Sequence, residues 1–145
     1  MKLDELDWKI IESLRECGRG SNAEIARKFR VTEGTIRARI KKLSDAGILR
    51  ITGQVNPEFL VGHQVVVVGI NVSASRSLEK TAQRIAKLPE VSYAAITSGR
   101  YDIIAQVIVD SNRGIINFLT RSLAKIPTVS RTETFVLLKT HNCWV

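Results

Sequence analysis

From Ser21 to Leu49 apolar residues recur at helical spacing, in two short runs separated by a tight turn. Ser21 and Glu24 have capping-box spacing, so a helix is expected from Asn22 that buries Ile25, Ala26 and Phe29. Thr32 offers a second N-cap, after which Ile36, Ile40 and Leu43 form a stripe that must pack inward. At about 100° per residue, Gly34, Ala38 and Lys41 fall opposite Ile36, with Arg37 at the flank. Upstream, a helix is expected from about Asp4 to Cys17, carrying Trp8, Ile11 and Leu14 inward and stopped by Gly18-Arg19-Gly20. Gly47 closes the third helix. Ile48 to Thr52 followed by Gln54 to Pro57 then predicts a small strand pair, or wing, leading into a linker. These elements give a three-helix unit over 1–50 and a wing and linker over 51–62.

The pattern changes at His63. His63 to Val72 is a β-branched run suited to a central strand, and Ser77 to Lys87 places Leu78, Ala82, Ile85 and Ala86 at helical spacing. The hexapeptide KLPEVS (Lys87 to Ser92) returns as KIPTVS (Lys125 to Ser130), each time where a helical pattern gives way to a strand pattern. A duplicated helix-to-strand junction implies two related βαβ units. Tyr93 to Ser98 and Ile103 to Val109 read as strands around Gly99-Arg100-Tyr101-Asp102. A second helix is lined by Ile115, Phe118, Leu119, Ser122 and Leu123, and Thr132 to Leu138 closes the set. The order is βαββαβ, the ferredoxin-like arrangement, over 63–145. The fold class is therefore α+β, a three-helix winged helix-turn-helix domain followed by a ferredoxin-like domain. Val, Ile and Phe alternate along the strands, so the sheet face away from the helices needs a cover, which argues against a monomer.

Charge adds the partner. The chain has 145 residues with a formal net charge of +8. Between Arg27 and Arg50 eight bases stand against Glu33 and Asp45, so the surplus sits on the predicted reading head. Small residues at the outer centre of a basic helix let its backbone approach a base edge while flanking bases reach bases or phosphates. Thr32, Glu33, Gly34, Thr35, Arg37, Ala38, Arg39, Lys41 and Lys42 are accordingly the candidate contacts to double-stranded DNA. A solvated basic helix in an ordinary three-helix domain is the competing reading. Cys17 and Cys143 lack metal-site or disulfide-framework spacing, and His141 with Cys143 supplies two ligands where a structural zinc wants four. No metal and no cofactor is expected. The longest apolar run is too short to cross a bilayer and the start of the chain is charged, so a cytoplasmic location is expected.

Taken in order, these features resemble the leucine-responsive regulatory protein and asparagine regulator (Lrp/AsnC) family. Leu3-Asp4 with Asp7 and Ile10 to Leu14 is similar to the family's opening helix, and Gly18-Arg19 with Ser21 and Glu24 to Ala26 to its second. Arg39 to Leu43 with Gly47-Ile48 is similar to its third helix and exit, followed by Asn56-Pro57, Leu60 and Gly62. Ser98 to Asp102 resembles the family's Gly-x-x-Asp turn, and Ile126-Pro127 and Val129 with Thr132 and Thr134 its last strand. The resemblance implies a transcription regulator whose carboxyl-terminal domains pair through their sheets into a homodimer, with dimers assembling to higher oligomers such as an octamer. It also implies a small effector, an amino acid or relative, bound near the turn at a contact between dimers. Gly99, Arg100, Tyr101 and Asp102 are then the candidate effector residues, with Thr132 and Thr134 from a neighbouring strand. Asp102 suits an α-ammonium, and the loop amides or Arg100 an α-carboxylate. The competing reading is a hairpin whose Gly and Asp serve only the turn. Haem-biosynthesis decarboxylases resemble the family in both domains, but this chain shows no clustered His, Cys or carboxylate set for catalysis, and no enzyme is expected. An RNA-recognition module is disfavoured because Ile103 to Val109 carries no aromatic on which to stack a base. An architectural DNA-binding protein whose second domain only oligomerises remains the alternative.

Overall fold

The computed structural model describes residues 2–145, which divide into a unit ending at Gly53 and a unit running from Gln54 to Val145. In the first unit, helices α1 (Glu5–Glu16), α2 (Asn22–Phe29) and α3 (Glu33–Asp45) surround a core of Ile10, Leu14, Ile25, Ala26 and Ile36. Each start is capped as the sequence demands. The Ser21 side chain accepts from the Glu24 amide while the Glu24 carboxylate accepts from the Ser21 amide, and Thr32 accepts from the Thr35 amide. Gly47, at φ 67, turns the chain out of α3 in a left-handed conformation that strains any other common residue.

The inward face of α1 departs from expectation. Trp8 is 59% exposed, whereas Asp7, at 4%, lies inside with Ile10 and Leu14 at i, i+3 and i+7. Asp7 tolerates that position because both of its oxygens are engaged. Oδ2 accepts the Asp4 amide at 3.1 Å, completing a capping box, and Oδ1 accepts from the Arg39 guanidinium at 2.9 Å. Arg39 also donates to Asp4, so one arginine of α3 is clamped between two carboxylates at the start of α1.

In the second unit, β1 (Gln64–Val72), β2 (Val91–Ile96), β3 (Ile103–Val109) and β4 (Val129–Val136) form an antiparallel sheet in the order β2-β3-β1-β4. Helices α4 (Leu78–Ile85) and α5 (Asn112–Asn117) follow β1 and β3, which is the ferredoxin-like topology. The core is built from Val66, Val68 and Ile70 of β1, Ile103, Ala105 and Val107 of β3, and Ile85, Phe118 and Leu123 from the helical segments. Both copies of the repeated hexapeptide stand where a helical segment hands over to a strand, at Val91 and at Val129. Residues of opposite parity face the other way. Val67, Ile104 and Ile108 there are half-buried around Gln106, with Tyr93 and Phe135 exposed at 49% and 43%.

Three local expectations need correction. The anticipated wing strands do not form, since no regular element lies between Asp45 and Pro57. Val55 instead exchanges two backbone hydrogen bonds with Val145, at 2.8 and 3.1 Å. The second helix of this unit is not continuous. After α5 it widens into a π turn over Phe118–Ser122 and tightens into a 3-10 turn over Leu123–Lys125, which brings the Ser122 hydroxyl onto the Glu90 carboxylate at 2.8 Å. Ala86, expected to line α4's inner face, is exposed.

The clamp carries a pH signature. The Arg39 hydrogen bond, helped by the Asp7 amide, holds the Asp4 carboxyl below the usual carboxylate range. A carboxyl lowered on folding contributes stability that is present above the unfolded value and lost as pH falls through the folded one. The melting temperature of the first unit's transition should therefore drop as pH falls below about 4 more steeply in the native chain than in Asp4→Asn, the two converging at the acid end. Calorimetric melts across that window check this, and parallel curves would contradict it.

Candidate nucleic-acid interface and effector turn

Along α3 the burial pattern separates a packed side from an open one. Ile36 and Leu43 are fully buried and Ile40 partly so, while Gly34, Arg37, Ala38, Lys41 and Lys42 are exposed. Glu33 pairs with Arg37 and Asp45 with Lys41, the latter at 2.6 Å, both as i,i+4 contacts along the helix surface. Such exposed pairs are worth only about 0.3–0.5 kcal/mol, so a phosphate or a base edge can displace the carboxylate at little cost. Lys42 enters no ion pair among the described residues. Gly34 has nothing closer than the Thr32 hydroxyl at 3.9 Å from where a Cβ would stand, and its φ is not left-handed. Neither packing nor backbone geometry asks for glycine there. What its absent side chain leaves is an unobstructed approach to the helix backbone.

Two of the sequence candidates are otherwise occupied. Thr32 caps the helix and shares a hydrogen bond of 2.8 Å with the Thr35 hydroxyl, so both hydroxyls serve the start of α3. Arg39 lies on the flank that meets α1, only 31% of its side chain exposed, with its guanidinium held by Asp4 and Asp7 and pushed above its ordinary value by those two bonds. It fixes how α3 is seated rather than reaching outward.

The turn after β2 is stapled to β1 from several directions. The Asp102 carboxylate accepts the Val72 amide at 2.9 Å, the Asn71 amide group donates to the Arg100 carbonyl at 3.1 Å, and the Thr97 hydroxyl donates to the Tyr101 carbonyl. Tyr101 lies flat on β1. A Cβ at Gly69 would come within 2.6–2.7 Å of its ring, so glycine is required there for close approach. The ring meets Phe135 edge-on at 6.1 Å, its hydroxyl donates to Glu133, and Arg100 reaches the same carboxylate at 3.5 Å. That bond to Glu133, reinforced by burial, raises the Tyr101 phenol above its usual range.

Gly99, Arg100, Tyr101 and Asp102 are thus brought together, but Thr132 and Thr134 are not brought with them. They pair with Ile70 and Val68, whose side chains enter the core, so both threonines share the helix-facing side, whereas Tyr101 covers Gly69 on the opposite side. Thr132 instead borders a cavity of about 230 Å³ with Leu119, Ile126 and Arg131. The residue of β4 that meets the turn is Glu133, one position over. Gly99 resembles Gly34, with open space around its would-be Cβ and an ordinary φ. No group of three or more metal-ligating side chains occurs among the described residues. No helix of the described residues is long and apolar enough to cross a membrane.

Comparison with known proteins bears on both halves. Residues 3–50 match the winged helix-turn-helix DNA-binding model and residues 65–143 the Lrp/AsnC ligand binding domain model. An HTH-type transcriptional regulator of Pyrococcus furiosus is 40% identical over 93% of this chain and 91% of its own length. The structure of AsnC from E. coli is 28% identical, covers 97% of this chain and 95% of the neighbour, and superposes with a TM-score of 0.68. That of a Neisseria meningitidis transcriptional regulator in complex with L-Met is 25% identical, covers 95% and 91%, and gives a TM-score of 0.69. A winged helix-turn-helix match over the head and a ligand-binding-domain match over most of the second unit, with a relative 40% identical across nearly the whole length, settle the matter: the chain belongs to the Lrp/AsnC family of helix-turn-helix transcriptional regulators.

Proposed function

We propose that the chain is a homodimer closed by the open sheet faces, that it reads DNA with paired α3 helices, and that a free amino acid at the Gly99 to Asp102 turn shifts its assembly or its DNA affinity. The observation that carries the reading is that, among the exposed glycines without an internal cause, one stands on each proposed contact surface. Gly34 and Gly99 each stand exposed with free space and ordinary φ, one on the outer face of α3 and one on the stapled turn. A missing side chain that the chain itself does not use leaves room for something from outside. At Gly34 that is a DNA groove. At Gly99 it is a ligand, or a neighbouring dimer in a larger assembly such as an octamer.

Within α3, Arg37 reads a base edge, Lys41 and Lys42 hold phosphates, and Glu33 and Ala38 border the groove. Arg39 is a positioning residue acting through α1. Arg37→Ala should cost roughly 1–3 kcal/mol at an operator recovered by in vitro selection and relax sequence preference. Lys42→Ala should weaken all duplexes alike and lower the salt slope by about one. Arg39→Ala should leave the salt slope unchanged while lowering the melting temperature of the first unit. A salt titration of the three variants checks the division, and a slope that falls for Arg39→Ala but not for Lys42→Ala would reverse it.

At the turn, one Asp102 oxygen already accepts the Val72 amide, which leaves the other for an α-ammonium. Support for an amino-acid effector comes from the related Neisseria regulator, whose structure is a complex with L-Met. Only a ligand that prefers one assembly over another can move the equilibrium. A thermal-shift panel of amino acids followed by calorimetry identifies the ligand. Asp102→Asn, which keeps an acceptor for Val72 but removes the charge, should weaken its binding at least tenfold while leaving DNA binding by the free protein unchanged. The second reading, an architectural protein without ligand, has one observation in its favour: Arg100 is already paired with Glu133, and Asp102 already accepts the Val72 amide. No binding across the panel would favour that reading, and equal ligand binding by Asp102→Asn would overturn the assignment of the ligand to this turn.

A further inference from the structure

The +8 net charge is not concentrated on the reading head. From Gln54 onward there are ten Lys and Arg against six Asp and Glu, a surplus of four, so half of the excess belongs to the unit that carries no recognition helix. Within that unit the bases are segregated. Seven of the ten (Arg76, Lys80, Arg84, Lys87, Arg113, Arg121 and Lys125) lie on the helical segments that cover one side of the sheet or, for Lys87, in the turn that leaves α4, and all seven are exposed. Lys80 and Arg84 are one turn apart on α4, or about 6 Å along its axis. Arg76 sits in the 3-10 turn just before the helix, and Lys87 follows just after it. The opposite sheet face carries the apolar residues.

A face that needs only solubility balances both signs. This one carries seven bases to three acids. Its three acids are each taken by a neutral group: Glu79 by the Gln83 amide at 2.9 Å, Glu90 by the Ser122 hydroxyl at 2.8 Å and Asp110 by the Ser111 hydroxyl at 3.2 Å. None of the seven bases enters an ion pair among the described residues, whereas every resolved pair of the first unit ties a base to an acid of the same unit. Seven cations against three carboxylates leave a surplus of four on one exposed layer, with no base held in an ion pair among the described residues, and the resulting repulsion is relieved by a polyanion. In a protein that already binds duplex DNA, the polyanion brought to high local concentration is the same duplex beyond the operator.

We propose that the helix layer of the second unit is a sequence-independent DNA surface, with Lys80 and Arg84 at its centre, that holds phosphates of duplex flanking the operator. The contact adds affinity and salt dependence without adding sequence preference, because it meets only the backbone. It also separates labour inside the chain. The head chooses the site and the helix layer retains the neighbouring DNA.

The test uses the full-length protein and two duplexes, the minimal operator and the same operator with long flanks. The double substitution Lys80→Gln with Arg84→Gln should lower the slope of log affinity against log salt on the long duplex by roughly two per protomer, while leaving it unchanged on the minimal one. Arg113→Gln with Arg121→Gln should act in the same direction, and Lys80→Arg should behave as the native chain. Lys42→Ala serves as the control for the head, since it lowers the slope on both duplexes, so a failure of the head is told apart from a failure of the helix layer. Unchanged slopes on the long duplex for both double variants would overturn the proposal. So would loss of binding to phosphatidylserine vesicles with DNA slopes intact, which would assign the layer to a membrane surface.

Discussion

A four-stranded sheet with all its helices on one side must do something with the other. Here Val67, Ile104 and Ile108 line that side beside Tyr93 and Phe135, with Gln106 at its middle and Glu133 and Arg131 toward one end of β4. An apolar face of that kind in water is a standing cost of about 25 cal/mol for each Å² left uncovered. A second copy of the chain, presenting the same face, removes the cost for both. Much of the functional reading follows from that constraint. In the proposed dimer, paired sheets bring two reading heads into one particle, which doubles the base contacts available. The pairing also leaves the helix layer, on the other side of the sheet, free for DNA.

The head itself is organised by a buried charge. Asp7 sits inside the three-helix core only because the Asp4 amide and the Arg39 guanidinium satisfy it, and Arg39 is in turn held by Asp4. The arrangement ties α3 to the start of α1 at one point on its flank, while Ile36 and Leu43 seat it from below. The outer face of α3 is thereby left to small residues and to bases whose ion pairs are exposed and weak. Rigidity on one side and loosely held charge on the other is what a helix needs to enter a groove without first being released from its own contacts.

Much of this was legible along the chain, and the failures have specific causes. Helix caps at Ser21 and Thr32 and the repeated hexapeptide mark boundaries through local hydrogen bonding and chain reversal, which neighbouring residues determine. Apolar counting misassigned α1 because it favours Trp8 over Asp7. Only the partner Arg39, thirty-two residues away, makes burial of that carboxylate affordable. A charged residue at the i−3 position of a buried Ile10, with an arginine on the flank of another helix, is the signal that was present. The effector strand failed by one residue for a different reason. Side-chain facing in a strand depends on register, and Thr132 and Thr134 share parity with core partners once β4 is paired to β1. Glu133, facing the other way with Arg131 and Phe135, was the residue in position to meet Tyr101. The π turn at Phe118 and the pairing of Val55 with Val145 had no local signature, since both are set by contacts with distant parts of the chain.

The claim on which the functional account rests is that two heads act as one particle. Hydroxyl-radical footprinting of the full-length protein on a selected operator measures this directly. Paired heads predict two protected segments, related by a dyad and centred about 34–36 Å apart or a multiple of that distance, so that both lie on one side of the duplex. A single protected segment, or two whose spacing bears no relation to the helical turn, would contradict the pairing.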